Sequence, residues 1–166
     1  MDEALKRLLD LAEEKQAVMT TGNKYSSWFK PVNFDFEKAK QETFIEGVKP
    51  LEGQTLRDRF VEMYSVQHFL IRRDFVMEHE LSFDTTTRFY SDMTFCVKLL
   101  KLASGKMWVD GDSLYIWRHR NDQIHLPALC QKKRGHRSGE FLDAYDKCLH
   151  IIKPEDKDLR FAPVAY

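Results

Sequence analysis

Asp92 is the side chain in this sequence best placed to move a proton. It stands at the head of Met93-Thr94-Phe95-Cys96-Val97-Lys98-Leu99-Leu100, a run apolar nearly all round a helix. A carboxylate at such a helix start is held by free backbone N–H groups and favoured by the helix dipole, so it stays ionised and rigidly aimed. That suits a general base taking the proton from an attacking hydroxyl. Ser91 or Asp92 also reads simply as the N-cap of the helix. Arg118-His119-Arg120 closes a strand of alternating character, where guanidinium groups could hold a diphosphate through paired hydrogen bonds and His119 could contact phosphate or metal. The same three residues read equally well as a solvated strand end. Asp110-Gly111-Asp112 has the text of a two-carboxylate metal motif, yet it sits between two short strand patterns, as a turn does. Tyr25-Ser26-Ser27-Trp28-Phe29 offers aromatic faces for a pyranose ring, or core. Lys132-Lys133-Arg134, with His136 and Arg137, is a basic cluster for a polyanion or membrane surface, or a solvated approach to a helix. His125 and His136 read as loop histidines.

The elements that must position these residues alternate. Ala4, Leu5, Leu8, Leu9 and Ala12 recur on one face of a helix from Asp2, its N-cap, to about Gln16, with Lys6, Arg7, Asp10, Glu13 and Glu14 opposite. A strand over 17–21 follows, ended by Gly22-Asn23. From Lys24 to Gln54 aromatics and charges mix without period, which predicts a long loop with short helices. A helix over 56–64, capped by Thr55, a strand over 66–71 and a short helix over 74–79 come next, then a turn-rich segment over 80–90. The helix opened by Ser91 or Asp92 should be buried on more than one side and stop at Ser104-Gly105. Strands are expected over 106–110 and 113–118, turning at Gly111-Asp112, then a loop over 121–135 and a final amphipathic helix over 137–152, closed by Pro154.

Composition bounds the function. The chain has 166 residues, 43% hydrophobic and 31% charged, the balance of a folded single domain. Lys plus Arg and Asp plus Glu are each 26, so no net field favours nucleic acid or an anionic membrane. Cys96, Cys130 and Cys148 form neither a disulfide framework nor a zinc pattern, which points to a reducing cytoplasm. No signal peptide or transmembrane stretch is legible, and no glycine-rich phosphate loop is present.

Four segments taken in order carry a resemblance: Phe69-Leu70-Ile71-Arg72-Arg73-Asp74-Phe75, Glu80-Leu81-Ser82-Phe83-Asp84, Phe89-Tyr90-Ser91-Asp92-Met93-Thr94-Phe95 and Leu114-Tyr115-Ile116-Trp117-Arg118-His119-Arg120-Asn121. Together they resemble the acceptor-side, C-terminal half of family 2 inverting glycosyltransferases with the GT-A fold. The likeness covers 55–122 and, more loosely, 2–23, and is greatest to bacterial enzymes that build cell-surface glycopolymers such as teichoic acids or capsules. It implies an α/β fold, a partial GT-A domain over 1–152 with a short mixed sheet and flanking helices, then a tail over 153–166. It implies that Asp92 is the general base, that Tyr90 and Ser91 lie on the acceptor side, and that Arg118, His119 and Arg120 lie on the pyrophosphate side; the aromatic face of Trp28 is the further acceptor-side expectation. A second acidic residue usually stands where Ser91 does, so acceptor positioning here differs. In that fold the metal motif precedes the acceptor half, which leaves Asp110-Gly111-Asp112 as a turn and makes His119 a ligand only if the other half is supplied.

The expectation is therefore a glycosyltransferase-like domain without its nucleotide-binding strands, with little activity alone. Full-length relatives of this kind take a nucleotide-sugar donor, a glycopolymer acceptor and a divalent manganese or magnesium ion, and work in the cytoplasm or at the inner face of the membrane. The competing expectation is a non-catalytic module that binds a glycopolymer or partner and completes a site in trans. Either way the exposed sheet edge predicts self-association.

Overall fold

The computed structural model describes residues 2–28, 45–53, 55–56, 65–119, 124–125 and 137–156. In chain order its elements are α1 (Asp2–Glu14), β1 (Met19–Trp28), β2 (Val48–Pro50), a 3-10 turn (Val66–His68), β3 (Phe69–Ile71), α2 (Arg73–Glu78), α3 (Ser91–Leu102), β4 (Met107–His119) and α4 (Arg137–Ile151). The strands make one mixed sheet in the order β2-β4-β1-β3. The central pair, β1 and β4, is parallel, and β2 and β3 run antiparallel to their neighbours. The chain is thus mixed α/β, an open sheet with flanking helices.

Strand alternation decides which helix packs on which face. Met19 and Met107 turn toward α3 and form the main core with Phe95, Cys96, Leu99, Leu100, Leu51 and Phe75. Their neighbours in sequence turn toward α1: the Thr20 hydroxyl donates to the Leu8 carbonyl at 2.9 Å, and the Lys15 ammonium lies 5.0 Å from the Trp108 ring centroid. On its far side α3 buries Met93 and Val97 against Ala144 and Cys148 of α4. A helix packed between a sheet and a second helix has no polar face to spare, which is why its sequence is apolar nearly all round.

Several elements differ from the sequence reading. The two short strands expected over 106–110 and 113–118 are one strand of 13 residues. Asp110-Gly111-Asp112 is not a reversal but part of a bulge: Gly22 pairs with Asp110 while Asn23 pairs with Leu114, so Gly111, Asp112 and Ser113 are extra residues on β4. β1 does not stop at Gly22-Asn23 and runs on to Trp28. Of the segment expected to be a loop, 24–28 is therefore strand, because β4 supplies a partner along that whole length. The strand expected over 66–71 is a 3-10 turn followed by three strand residues. Asp2 lies within α1 rather than capping it. Of the helix expected over 56–64, Leu56 is helical and the rest lies outside the described residues, as does nearly all of the loop over 121–135.

The bulge is a crowded backbone crossing. A Cβ at Gly111 would lie 2.0 Å from the Ile45 carbonyl oxygen, and one at Gly22 would lie 2.2 Å from that of Ser113. Both neighbours are backbone and cannot rotate away. Asn23, 1% exposed, ties the crossing together: its Nδ2 donates to the Ile45 and Gly111 carbonyls at 3.0 and 2.6 Å, and its Oδ1 accepts from the Ile45 N–H at 3.0 Å. Gly111→Ala and Gly22→Ala should each cost about 2 kcal/mol or more in urea unfolding. Gly139→Ala, in the first turn of α4 with nothing near its added Cβ, should instead gain about 0.5–1 kcal/mol. Equal effects at all three positions would contradict this account of the bulge.

Candidate functional site

Asp92 is the second residue of α3, and the cap position before it, Tyr90, makes no side-chain cap bond. The capping alternative for Ser91 and Asp92 does not hold, since both lie inside the helix. The N–H groups of Asp92 and of Val66, at the entry to the 3-10 turn, favour the ionised Asp92 carboxylate. Burial is the largest influence on it and pushes its pKa up; those N–H groups and the Lys24 ammonium act the other way without cancelling it. The expectation that the helix start holds this carboxyl firmly ionised is therefore corrected in direction. Desolvation against the core outweighs the dipole.

The one strand residue whose charge acts on Asp92, among the described residues, is Lys24. Lys24 pairs with Tyr115, Ser27 with Arg118 and Trp28 with His119, all toward the carboxyl ends of two adjacent parallel strands. Lys24 lies with its ammonium 4.8 Å from the Trp117 ring centroid, in cation–π contact. Arg118 follows three register positions beyond the Lys24 pair, about 10 Å along the strand. Lys24 acts on Asp92 through its charge, and Arg118 and His119 end β4, the side of the sheet where open α/β sheets bind ligands. The side chains of Trp28, Arg118 and His119, and the whole of Arg120, lie outside the described residues. Ser91 is half-buried and accepts the Asp84 N–H at 2.9 Å through its carbonyl. Tyr90 meets Phe141 edge-on at 5.4 Å. Lys24 and Trp117 were not singled out from the sequence. An ammonium two residues from a strand's expected end reads as loop until β4 is known to pair beside it.

Asp110 and Asp112 are not an open pair of ligands. The Arg7 guanidinium donates to both carboxylate oxygens of Asp110, at 2.9 and 3.0 Å, and to Asp112 at 3.0 Å. The Ser113 hydroxyl and the Asp112 N–H add bonds to Asp110 at 2.8 and 3.0 Å. Burial works to raise the Asp110 pKa, but the hydrogen bonds from Arg7, Ser113 and the Asp112 N–H together with the Arg7 charge hold it below the usual range. Among the described residues no group of three or more His, Cys, Asp or Glu is arranged to hold a metal ion. The described donor set does not fit the divalent ion that the resemblance implies, and no chemical step here is routed through one. Cys96 and Cys148 are buried free thiols, that of Cys148 pushed up to about 12 by burial, so both are poor nucleophiles.

Beside α1 two apolar clefts share Leu70 of β3. One of about 260 Å³ is lined by Leu5, Leu8, His68 and Tyr115, and one of about 310 Å³ by Leu9, Ala12 and Ile71. Leu5 is 58% and Leu9 48% exposed at their rim. His68 is buried, its ring 4.6 Å from Phe69 and 6.3 Å from Tyr115. No protein-family model matches the chain, and no curated protein matches it either.

The two carboxylates make opposite contributions with pH. Asp110, with a lowered folded pKa, stabilises above the ordinary carboxylate value of about 3.9 and loses that contribution as the pH falls through the folded value. Asp92, with a raised folded pKa, stabilises below that value and loses the contribution as the pH rises through the folded one. At pH 7 Asp110→Asn should therefore cost about 2 kcal/mol, less than a fully enclosed pair because Arg7 is 41% exposed. Asp92→Asn should leave the urea midpoint level or raise it. A stability loss from Asp92→Asn as large as that from Asp110→Asn would show that Asp92 is structural.

Proposed function

We propose that this chain is the acceptor-side part of an inverting, nucleotide-sugar-dependent glycosyltransferase that acts on a hydroxyl of a cell-surface glycopolymer, of the teichoic acid or capsule kind, with Asp92 as its general base. One observation carries the reading. A half-buried carboxylate, with its pKa pushed up by burial, sits in the first turn of α3 within electrostatic reach of Lys24 on β1. A raised pKa makes the carboxylate a better proton acceptor at neutral pH. It takes the acceptor hydroxyl's proton as that oxygen forms its bond to the anomeric carbon; the bond from that carbon to the nucleoside diphosphate breaks on the opposite face. Arg118, His119 and Arg120, at and just beyond the end of β4, supply positive charge for the departing diphosphate. Such an enzyme works in the cytoplasm or at the inner membrane face; among the described residues no helix is long and apolar enough to cross a membrane.

The fold's donor cradle and metal site are supplied by strands outside the described set, on this reading. A second reading draws on a separate observation. Among the described residues β3 is an edge strand, and the clefts beside it are rimmed by exposed Leu5 and Leu9. Such a surface suits a chain that completes a site in trans.

Titration with uridine or cytidine diphosphate and manganese should give weak binding by this chain alone and metal-dependent binding once a chain carrying the donor-binding strands is added. Tight binding by this chain alone would overturn the division of labour. In the reconstituted assay Asp92→Asn should lower the transfer rate by roughly 100-fold or more, and an unchanged rate would remove Asp92 as the base. Light scattering should show concentration-dependent self-association that Leu5→Glu with Leu9→Glu abolishes; a monomer at every concentration would argue against an adhesive β3 edge.

A further inference from the structure

α3 begins without a side-chain cap, since Tyr90 makes none. An uncapped first turn frays easily, yet Asp92, half-buried, lies in that turn. Something other than the helix's own residues must therefore fix where α3 starts.

We propose that Glu140 and Lys147 of α4 are positioning residues for Asp92, fastening the turn from Asp84 to Tyr90 and so setting the start of α3. This rests on the reading of Asp92 as the working carboxylate. Glu140 Oε2 accepts from two successive backbone N–H groups, Arg88 at 3.0 Å and Phe89 at 3.1 Å. Lys147, two turns along the same face of α4, donates to Asp84 Oδ2 at 3.0 Å and to the Thr86 hydroxyl at 2.7 Å. Asp84 closes the turn on itself, accepting from the Thr86 N–H and hydroxyl at 2.8 and 2.6 Å, while its own N–H donates to Ser91 at 2.9 Å. Phe141 packs on Tyr90 beside this turn. The peptide groups leading into α3 are thus held by a neighbouring helix through charge-assisted hydrogen bonds. Glu140 acts through the Arg88 and Phe89 N–H groups, and Lys147 through the Asp84 and Thr86 side chains.

The test uses the whole chain and two NMR readouts: amide exchange at Arg88 and Phe89, and the carboxyl titration of Asp92. The ionisable groups that face Asp92 are Lys24 from β1 and Cys96 from its own helix, and neither is altered. Glu140→Ala should speed exchange at Arg88 and Phe89 by roughly tenfold or more. It should also move the Asp92 midpoint down toward the water-exposed value of about 3.9. Glu140→Gln, which keeps an acceptor oxygen in place, should stay near wild type. Glu140→Asp, which keeps the charge but withdraws it by one methylene, should follow Ala and serves if the Ala variant does not fold. Lys147→Met should shift Asp92 in the same direction. Faster exchange with an unmoved Asp92 midpoint would overturn the proposal, as would unchanged exchange. Neither readout needs donor or acceptor, so failure here is distinct from failure of the transfer assay.

Discussion

A parallel pair of strands with three extra residues on one of them would ordinarily lose its register, and the bulge in β4 does not, because Asp110 is gripped from several sides. Arg7 reaches it from α1, Ser113 from across the bulge, and the Asp112 N–H from within it. The carboxylate is 3% exposed and the guanidinium 41%. The attraction itself is screened, while loss of either partner strands a buried group. The arrangement gains more from avoiding an unpaired carboxylate than from Coulomb energy. Through this one residue α1 is fixed to β4, and through Gly111 and Asn23 the approach to β2 is fixed to β1. The carboxyl ends of β1 and β4 come into register only beyond this crossing, so the position of the candidate site is set by the bulge.

The opposite treatment of Asp92 gains its meaning from that contrast. Asp110 receives enough donors to outweigh its burial, while Asp92 receives fewer and stays raised. A fold selected only for stability would place a neutral side chain at Asp92, or complete its shell as it does for Asp110. A carboxylate left part-solvated and part-buried with few donors is the pattern by which residues of functional sites depart from the local optimum. The cost is borne by α3, whose buried faces on the sheet and on α4 supply the burial that offsets it.

Much of this was legible where one helix or strand carries its own pattern. The all-round apolar run of α3 foretold burial on two sides, the period of α4 gave its length, and 80–90 was rightly read as irregular. What stayed hidden depends on pairing across long separations. Arg7 belongs by period to the outer face of α1, yet it turns in because Asp110 lies across from it, over a hundred residues away in sequence. Gly111-Asp112 has turn text, and nothing local distinguishes a turn from a bulge until the Ile45 carbonyl and β1 are in place. Lys24 to Trp28 reads as loop because mixed polar and aromatic residues have strand character only beside a partner. In the site, Asp92 was legible as a helix-start carboxylate. Its raised pKa was not, since that comes from desolvation by elements remote in sequence.

The edge at β3 bears on how such a domain could associate. An edge strand that simply stuck to its neighbours would be long, flat and apolar; β3 has three residues and runs straight into Arg72, Arg73 and Asp74, all exposed. Short length and flanking charge are the usual protections against indiscriminate pairing. The Arg72 guanidinium is engaged by Asp74 at 2.7 Å, and Arg73 leaves this rim with one net positive charge. The apolar clefts lie along α1, one of them bordered by Arg72, and both touch Leu70. A partner that pairs with β3 must therefore also bring a side chain or helix face to fill the space against Leu5 and Leu9. Backbone pairing alone would leave those residues wet, and a chain with no apolar cover would gain little from docking.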